Sequence, residues 1–401
     1  MNVTILPGTA AGTVSAPPSK SCAHRLILCA ALAEGESILR GIGQSEDVSA
    51  TLDCIHALGV SVCTDGQTLR ISGGCCSVNR TPVFPCRESG STLRFLLPLA
   101  LALGESAVFT GSERLFSRGL SVYETLFAGK AVSFEKTPVS FTVQGKLSAG
   151  KYTIPGDQSS QYATGLLFTL PLLSGDSTLT LLPPVESRPY IDLTLSILRQ
   201  AGIMIREQRE NCFFIPGNQK YHALDAQAEG DWSNAAPLLA LKAFGAQVQV
   251  TWLNPDSTQG DRVFPYLLQK LEQPDAVIDV SNCPDLAPVL FSVAAAKQGA
   301  VFIGTHRLRL KESDRMAAMA EELQKFGICT SIEENCFTVF PGTLHAPKTV
   351  LSSHNDHRIV MALSLLCTLT GGSISDVEAI RKSYPDFFDD LRSLGISVSE
   401  T

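Results

Sequence analysis

The chain has 401 residues, 44% hydrophobic and 18% charged, with 32 Lys and Arg against 39 Asp and Glu for a net charge of −7. That composition belongs to an ordinary globular protein with enough chain for large cores. Its acidic balance argues against a general binder of nucleic acid or of membrane surfaces, both of which rest on a basic footprint.

Six segments repeat one pattern: a polar cluster, an apolar helix-length run, a small-residue turn, then a short β-rich run. The predicted helix starts, in chain order, are Ser19-Lys20-Ser21, Ser89-Gly90-Ser91-Thr92, Gln158-Ser159-Ser160-Gln161, Gly230-Asp231-Trp232-Ser233, Cys283-Pro284-Asp285 and Asn355-Asp356-His357-Arg358. Runs such as Leu26 to Leu32 and Val289 to Ala296 are apolar nearly all round, the mark of buried helices. Turns at Gly35, Gly104, Gly175, Gly245, Gly299 and Gly371 each lead into a predicted strand. A second helix per unit closes on Gly59, Gly129, Gly202, Gly327 or Gly395. The first two intervals are about 70 and about 73 residues, but Gly202 to Gly327 is about 125, room for a fourth copy that has lost its glycine, around Leu267 to Leu271. Six such units are too long for one core, which predicts two globular α/β domains of three units each rather than an extended array.

No uncharged apolar stretch of about 18 residues supplies a membrane span. The opening Met1 to Pro7 lacks the features of a secretory signal, so a cytoplasmic location is expected. The 12 cysteines are scattered without a CxxC pair, the tightest group being Cys75-Cys76 with Cys86, and read as small hydrophobes in a reducing compartment. His354 and His357 stand at metal-ligand spacing. Asp356 is the usual helix cap, however, and third and fourth ligands are not evident, so no metal and no cofactor is expected.

Helix N-termini carry unpaired N–H groups and partial positive charge, so converging helix starts form an anion site. Any single Ser, Thr or Asp there reads as a cap. The basic residues beside them, Lys20, Arg25, Arg94 and Arg358, oppose the macrodipole, and an anionic ligand relieves that conflict. The densest cluster, Arg307 to Arg315, lies between a predicted strand at Ala300 to Gly304 and an amphipathic helix from Met316 to Phe326. It reads either as a solvated helix start capped by Ser313 or Asp314, or as a charged catalytic set of Lys311, Glu312 and Arg315.

Lys311-Glu312-Ser313-Asp314-Arg315, with Pro18 to Arg25, Asn355-Asp356-His357-Arg358 and Lys382-Ser383-Tyr384-Pro385-Asp386, closely resembles the 5-enolpyruvylshikimate-3-phosphate synthase family, in the same order along essentially the whole chain. The resemblance implies a two-domain inside-out α/β barrel, each domain of three βαβαββ repeats, with helix N-termini directed at a cleft between them. The chain crosses between domains near Pro17-Pro18 and near Gln227 to Gly230, which gives residues 1–18 plus 228–401 as one domain and 19–227 as the other. The implied reaction moves the enolpyruvyl group of phosphoenolpyruvate onto the 5-hydroxyl of shikimate 3-phosphate through a tetrahedral intermediate, releasing phosphate.

By the same resemblance, shikimate 3-phosphate meets Lys20, Ser21, Arg25, Ser159, Ser160, Gln161, Ser187, Asp285 and Lys311. Phosphoenolpyruvate meets Lys20, Gly90, Arg118, Gln161, Arg315, Arg358 and Lys382. Asp285 and Glu312 are the implied acid/base carboxylates, with Lys20 beside them. The expected partners are the two small substrates, with no nucleic acid and no membrane, and the chain is expected to be a monomer. Three departures accompany the match: Gly119 follows Arg118 where relatives often have proline, Pro18-Ser19 precedes Lys20 in place of a glycine turn, and Arg307 replaces an uncharged amide and is expected to face solvent. Alternatives are the sister transferase acting on UDP-N-acetylglucosamine, whose mobile-loop cysteine has no counterpart around Arg118, and a non-catalytic binder of a phosphorylated metabolite.

Overall fold

A computed structural model describes residues 1–65, 68–74 and 81–400, so Cys75 and Cys76 lie outside the described residues. Five of the six helices expected after the polar clusters begin where a side-chain oxygen takes a backbone N–H of the first turn. Ser19, Ser89, Ser159, Asp231 and Asp356 accept from the N–H of Cys22, Thr92, Gln161, Asn234 and Arg358 at 3.3, 3.2, 3.3, 2.8 and 2.9 Å. Each such cap is worth about 1 kcal/mol. They start the helices Lys20–Leu32, Gly90–Leu103, Ser160–Thr169, Trp232–Ala240 and His357–Thr370. The sixth, Ala287–Ala296, starts without a side-chain cap, with Pro288 in its first turn, two residues later than the sequence predicts. That shift leaves the Asp285 carboxylate out of capping.

These helices are buried on every side: Cys22 through Leu32, Ala287 through Ala295 and His357 through Thr368 are buried without a break. A helix apolar all round needs cover all round. Sheets provide it, with one face inward, as in Ser177–Leu182, where Ser177, Leu179 and Leu181 are buried and alternate with partly exposed neighbours. The repeating motif is clearest in one sheet. Val83–Arg87 runs parallel to Ser106–Gly111 across the helix Gly90–Leu103, and Ser106–Gly111 then pairs antiparallel with Ser140–Gly145, the partner of Val132–Lys136. Equivalent four-stranded sheets recur in the other repeats except the fourth, which is reduced to Gln247–Thr251 beside Ala11–Ser15. In that repeat the second helix, Phe264–Lys270, closes on Leu271 and Glu272. The others close on glycines at φ between +75° and +89°, a conformation that costs glycine least.

The chain divides into two compact units, Pro18–Glu229 and Met1–Pro17 with Gly230–Thr401, each with its own apolar core. In both, helices form the interior and sheets the outer cover, an inside-out α/β barrel. Among the described residues no helix is long and apolar enough to cross a membrane.

Candidate active site

In the unit of residues 18–229, side-chain hydrogen bonds gather the first two turns of five helices. His24 Nδ1 lies 2.7 Å from Thr51 Oγ1, Thr51 Oγ1 lies 2.7 Å from Thr92 Oγ1, and Thr92 donates to Ser89 Oγ at 2.7 Å. This chain ties the helices Lys20–Leu32, Glu46–Ala57 and Gly90–Leu103. Arg94 Nη1 then donates to Gln161 Oε1 at 2.8 Å, and Gln161 Nε2 donates to Ser91 Oγ at 2.9 Å, adding the helix Ser160–Thr169. Arg25 completes the set: it is buried and donates to Thr194 Oγ1 at 2.9 Å, Tyr190 O at 3.1 Å and Ser21 O at 2.8 Å. Burial lowers its pKa to about 10, so it stays charged at neutral pH. Burial, then the charges of Lys20 and Arg25, hold His24 well below its ordinary pKa, leaving it neutral.

Around these starts lie the remaining residues expected there. Lys20 Nζ pairs with Asp47 at 2.8 Å. A Cβ on Gly90 would lie 2.7 Å from Arg94 Nη1 and 3.1 Å from Arg118 Nη1, so only glycine lets both guanidinium groups approach this helix start. Gly119 sits at φ +75°, which proline cannot adopt, and its carbonyl accepts from Arg94 Nη2 at 3.3 Å and Tyr162 Oη at 3.2 Å. The departure from proline thus has a backbone reason. Ser159 is itself the cap of its helix with Ser160 its first residue, and Ser187 is buried at φ +54° just before the helix Arg188–Gln200.

In the unit of residues 1–17 and 230–401 the centre is Arg315, with a side chain only 1% exposed. Its Nε donates to Asp356 Oδ2 at 2.8 Å, Nη1 to Asp285 Oδ1 at 2.8 Å and Nη2 to Glu312 Oε2 at 2.9 Å. Burial lowers its pKa, but the charges of Asp356, Glu312 and Asp285 outweigh that and raise it. Lys311 Nζ reaches Asp285 Oδ1 at 3.1 Å, and Arg358 Nη2 lies 3.8 Å from Asp285 Oδ2. Burial raises the Asp285 carboxyl, but Lys311, Arg315 and Arg358 overcome this and hold it well below the usual range. Lys311 is lowered, first by burial, against the opposing pull of Asp285. Arg358 is anchored to Ser233 O at 2.9 Å and Asn234 Oδ1 at 3.0 Å, and Lys382 Nζ to Asn355 O at 2.7 Å. The starts of the helices Trp232–Ala240, Arg315–Lys325 and His357–Thr370 are thereby drawn around Asp285.

Two expectations are corrected and one ambiguity is settled. Arg307 does not face solvent: it is buried, 5% exposed, and donates to Ser281 O at 3.0 Å, because the turn His306–Leu310 folds it inward. Asp285 is not a helix-start residue, as noted above. Asp314 rather than Ser313 caps the helix Arg315–Lys325, while Ser313 Oγ lies 3.1 Å from Asp356 Oδ2. Asp47, Asp356 and Asn234 partner these cations, and sequence reasoning gave Asp47 and Asn234 no role and Asp356 only that of a helix cap. Their signal, a polar residue in a helix first turn, is shared with every ordinary cap. Among the described residues, Glu321, Glu322 and His354 bring possible metal ligands within 4.8 Å of one another, a group without His357, and Lys325 is already paired with Glu322 at 2.8 Å. All the cysteines described are free, most of them buried.

Residues 6–391 match the family model of EPSP synthase (3-phosphoshikimate 1-carboxyvinyltransferase). The chain is 38% identical over 419 residues to a 3-phosphoshikimate 1-carboxyvinyltransferase of Clostridium kluyveri, covering 99% of this chain and 98% of that one. A protein of the same name from Clostridium botulinum is 39% identical over 427 residues, with 99% and 98% covered. Two solved structures of EPSP synthase from Acinetobacter baumannii share its fold, with TM-scores of 0.79 and 0.80 at 24% and 23% identity and both chains covered in full. With the family model spanning nearly the whole chain and these relatives matching end to end, the chain belongs to the EPSP synthase (3-phosphoshikimate 1-carboxyvinyltransferase) family.

Proposed function

We propose that this chain transfers the enolpyruvyl group of phosphoenolpyruvate to the 5-hydroxyl of shikimate 3-phosphate and releases phosphate, a step of aromatic amino-acid biosynthesis. The observation that supports this most is the set Asp285, Lys311, Glu312 and Arg315, two carboxylates and two cations joined by contacts of 2.8 to 3.1 Å, in a chain of this family. In the addition step the 5-hydroxyl loses a proton while the methylene carbon of phosphoenolpyruvate gains one. Loss of a methyl proton and of phosphate from the tetrahedral adduct then restores the enol ether.

Asp285, kept ionised by its cations, suits the acceptor side as a base, with Lys311 and Lys20 beside the substrate hydroxyls. Glu312 suits the methylene side. A positioned acid or base is worth about 10²- to 10⁴-fold in rate. Arg315, Arg358, Lys382, Arg118 and Lys20, with Gly90 and Gln161, offset the charge of phosphoenolpyruvate and of the leaving phosphate; planar guanidinium groups suit its paired oxygens. Arg25, Ser21, Ser159, Ser160 and Ser187 hold the phosphate of the acceptor, and Gln161 lies over its ring. In this reading the enzyme works in the cytoplasm as a monomer, and sedimentation at working concentration checks the latter.

The functional test is phosphate release with phosphoenolpyruvate and each acceptor in turn. Release that requires shikimate 3-phosphate supports the reading. Release with UDP-N-acetylglucosamine instead assigns the sister reaction, and tight binding of both substrates without release assigns a binding protein.

A further inference from the structure

One buried carboxylate is untouched by the mechanism above. Glu322 is 0% exposed, in the third turn of the helix that Arg315 begins. It accepts from Lys325 Nζ at 2.8 and 3.0 Å and from Ser352 N at 3.1 Å, and His354 Nε2 lies 3.0 Å from its Oε1. His354 and Asn355 are consecutive non-glycine residues in the left-handed region, at φ +49° and +53°. Such a pair persists only where its surroundings hold it.

Hydrogen bonds hold the turn, among them Asp356 N to Ser353 O at 3.0 Å. His354 N donates to Ser352 Oγ at 3.1 Å, Asn355 N to Ser353 Oγ at 3.1 Å, and Ser353 Oγ to Asp376 O at 2.9 Å. The ring of the turn's first left-handed residue, His354, is anchored on the buried Glu322. What the turn presents is functional: the Asn355 carbonyl receives Lys382, and the next residue, Asp356, carries Arg315 and the N–H of Arg358.

We propose that His354 and Glu322 are positioning residues for phosphoenolpyruvate binding, acting as a protonated latch that fixes the 353–356 turn and through it Lys382. This rests on the reading of Lys382 as a phosphoenolpyruvate ligand. The charged groups facing the imidazole are Glu322, Glu321, whose Oε2 lies 3.9 Å from Nε2, and Lys325; from the segment 376–382 the charged group against the turn is Lys382. The hydrogen bond to Glu322 raises the His354 pKa above its ordinary value, and burial and Lys325 oppose it. A raised histidine pKa means that the latch is complete below about pH 6.5 and weakens as pH rises through the raised value, when its bond to Glu322 loses the charge assistance. Glu322 stays ionised throughout, because His354, Lys325 and the Ser352 N–H overcome its burial and lower its pKa.

The test is steady-state kinetics of the full chain in both substrates from acid to alkaline pH, for wild type, His354→Gln and Lys382→Met with and without His354→Gln. In wild type the KM for phosphoenolpyruvate is expected to rise at least about fivefold as His354 loses its proton, the scale of one hydrogen bond. The rise is absent from His354→Gln, which bonds without titrating, while the KM for shikimate 3-phosphate changes less than about twofold. In the Lys382→Met background His354→Gln should add nothing. Because Glu322→Gln risks misfolding, the ring titration of His354 is read directly by NMR in wild type, and a midpoint at or below the ordinary histidine value overturns the latch. Superimposable phosphoenolpyruvate profiles for wild type and His354→Gln, in enzyme that turns over, overturn the latch alone. A wild type that releases no phosphate overturns the functional reading as well.

Discussion

Arg315 holds three carboxylates with one guanidinium, and its energetics decide what each partner does. Asp356 is 0% exposed and gives it two contacts, at 2.8 and 3.3 Å, so Asp356→Ala leaves a buried cation short of its main partner. Such a loss costs about 3–5 kcal/mol, to be read as a fall in the denaturant midpoint. Asp356→Asn, which keeps a cap and an acceptor, should cost clearly less. Glu312 differs, being 19% exposed, with Arg315 Nη2 2.9 Å from its Oε2. Glu312→Gln retains an acceptor for Arg315 but cannot exchange a proton, so ligand affinity should stay within about tenfold while turnover falls at least ~10²-fold. Unchanged turnover would remove Glu312 from proton transfer.

At the scale of elements, the loop after Arg118 and the bundle of helix starts carry separate predictions. Gly119 at φ +75° places a carbonyl under Arg94 and Tyr162, so Gly119→Ala should destabilise by about 1–2 kcal/mol, measured by urea unfolding. Gly119→Pro should also raise the KM for phosphoenolpyruvate, because a backbone forced out of φ +75° shifts the carbonyl that Arg94 and Tyr162 share beside Arg118. His24 is kept neutral in the fold and gains a proton near pH 6.5 when unfolded. Its pKa is depressed, so its contribution is present above that value and lost as pH falls toward the folded one. Wild type should therefore lose up to about 1.4 kcal/mol of stability per pH unit below 6.5 relative to His24→Gln. Parallel stability curves for the two would show that the ring is not held neutral.

The elements were legible in the sequence to the extent that local chemistry specifies them. Ser19, Ser89, Ser159, Asp231 and Asp356 announce their helices because capping needs a short acceptor at that position. The start near Asp285 was misplaced because no polar cap marks it. The inward turn of Arg307 and the pairing of Lys20 with Asp47 depend on contacts across 26 and 27 residues of chain, which no local pattern encodes. Gly119 was visible as an oddity, but its φ was not.

Across the whole molecule, an acidic chain of net charge −7 buries guanidinium groups near helix starts in each of its two compact units. The unit of residues 18–229 carries three four-stranded sheets, and the other unit carries two with its remaining repeat reduced to a two-stranded sheet. Anions bound at such sites are attracted both by these cations and by the helix dipoles. The central claim is that the chain catalyses a single reaction of two anionic substrates. It is tested most directly by following inorganic phosphate as each substrate is added alone and then together. The account predicts release only when phosphoenolpyruvate and shikimate 3-phosphate are both present, whereas release from phosphoenolpyruvate alone, or none from the pair, would contradict it.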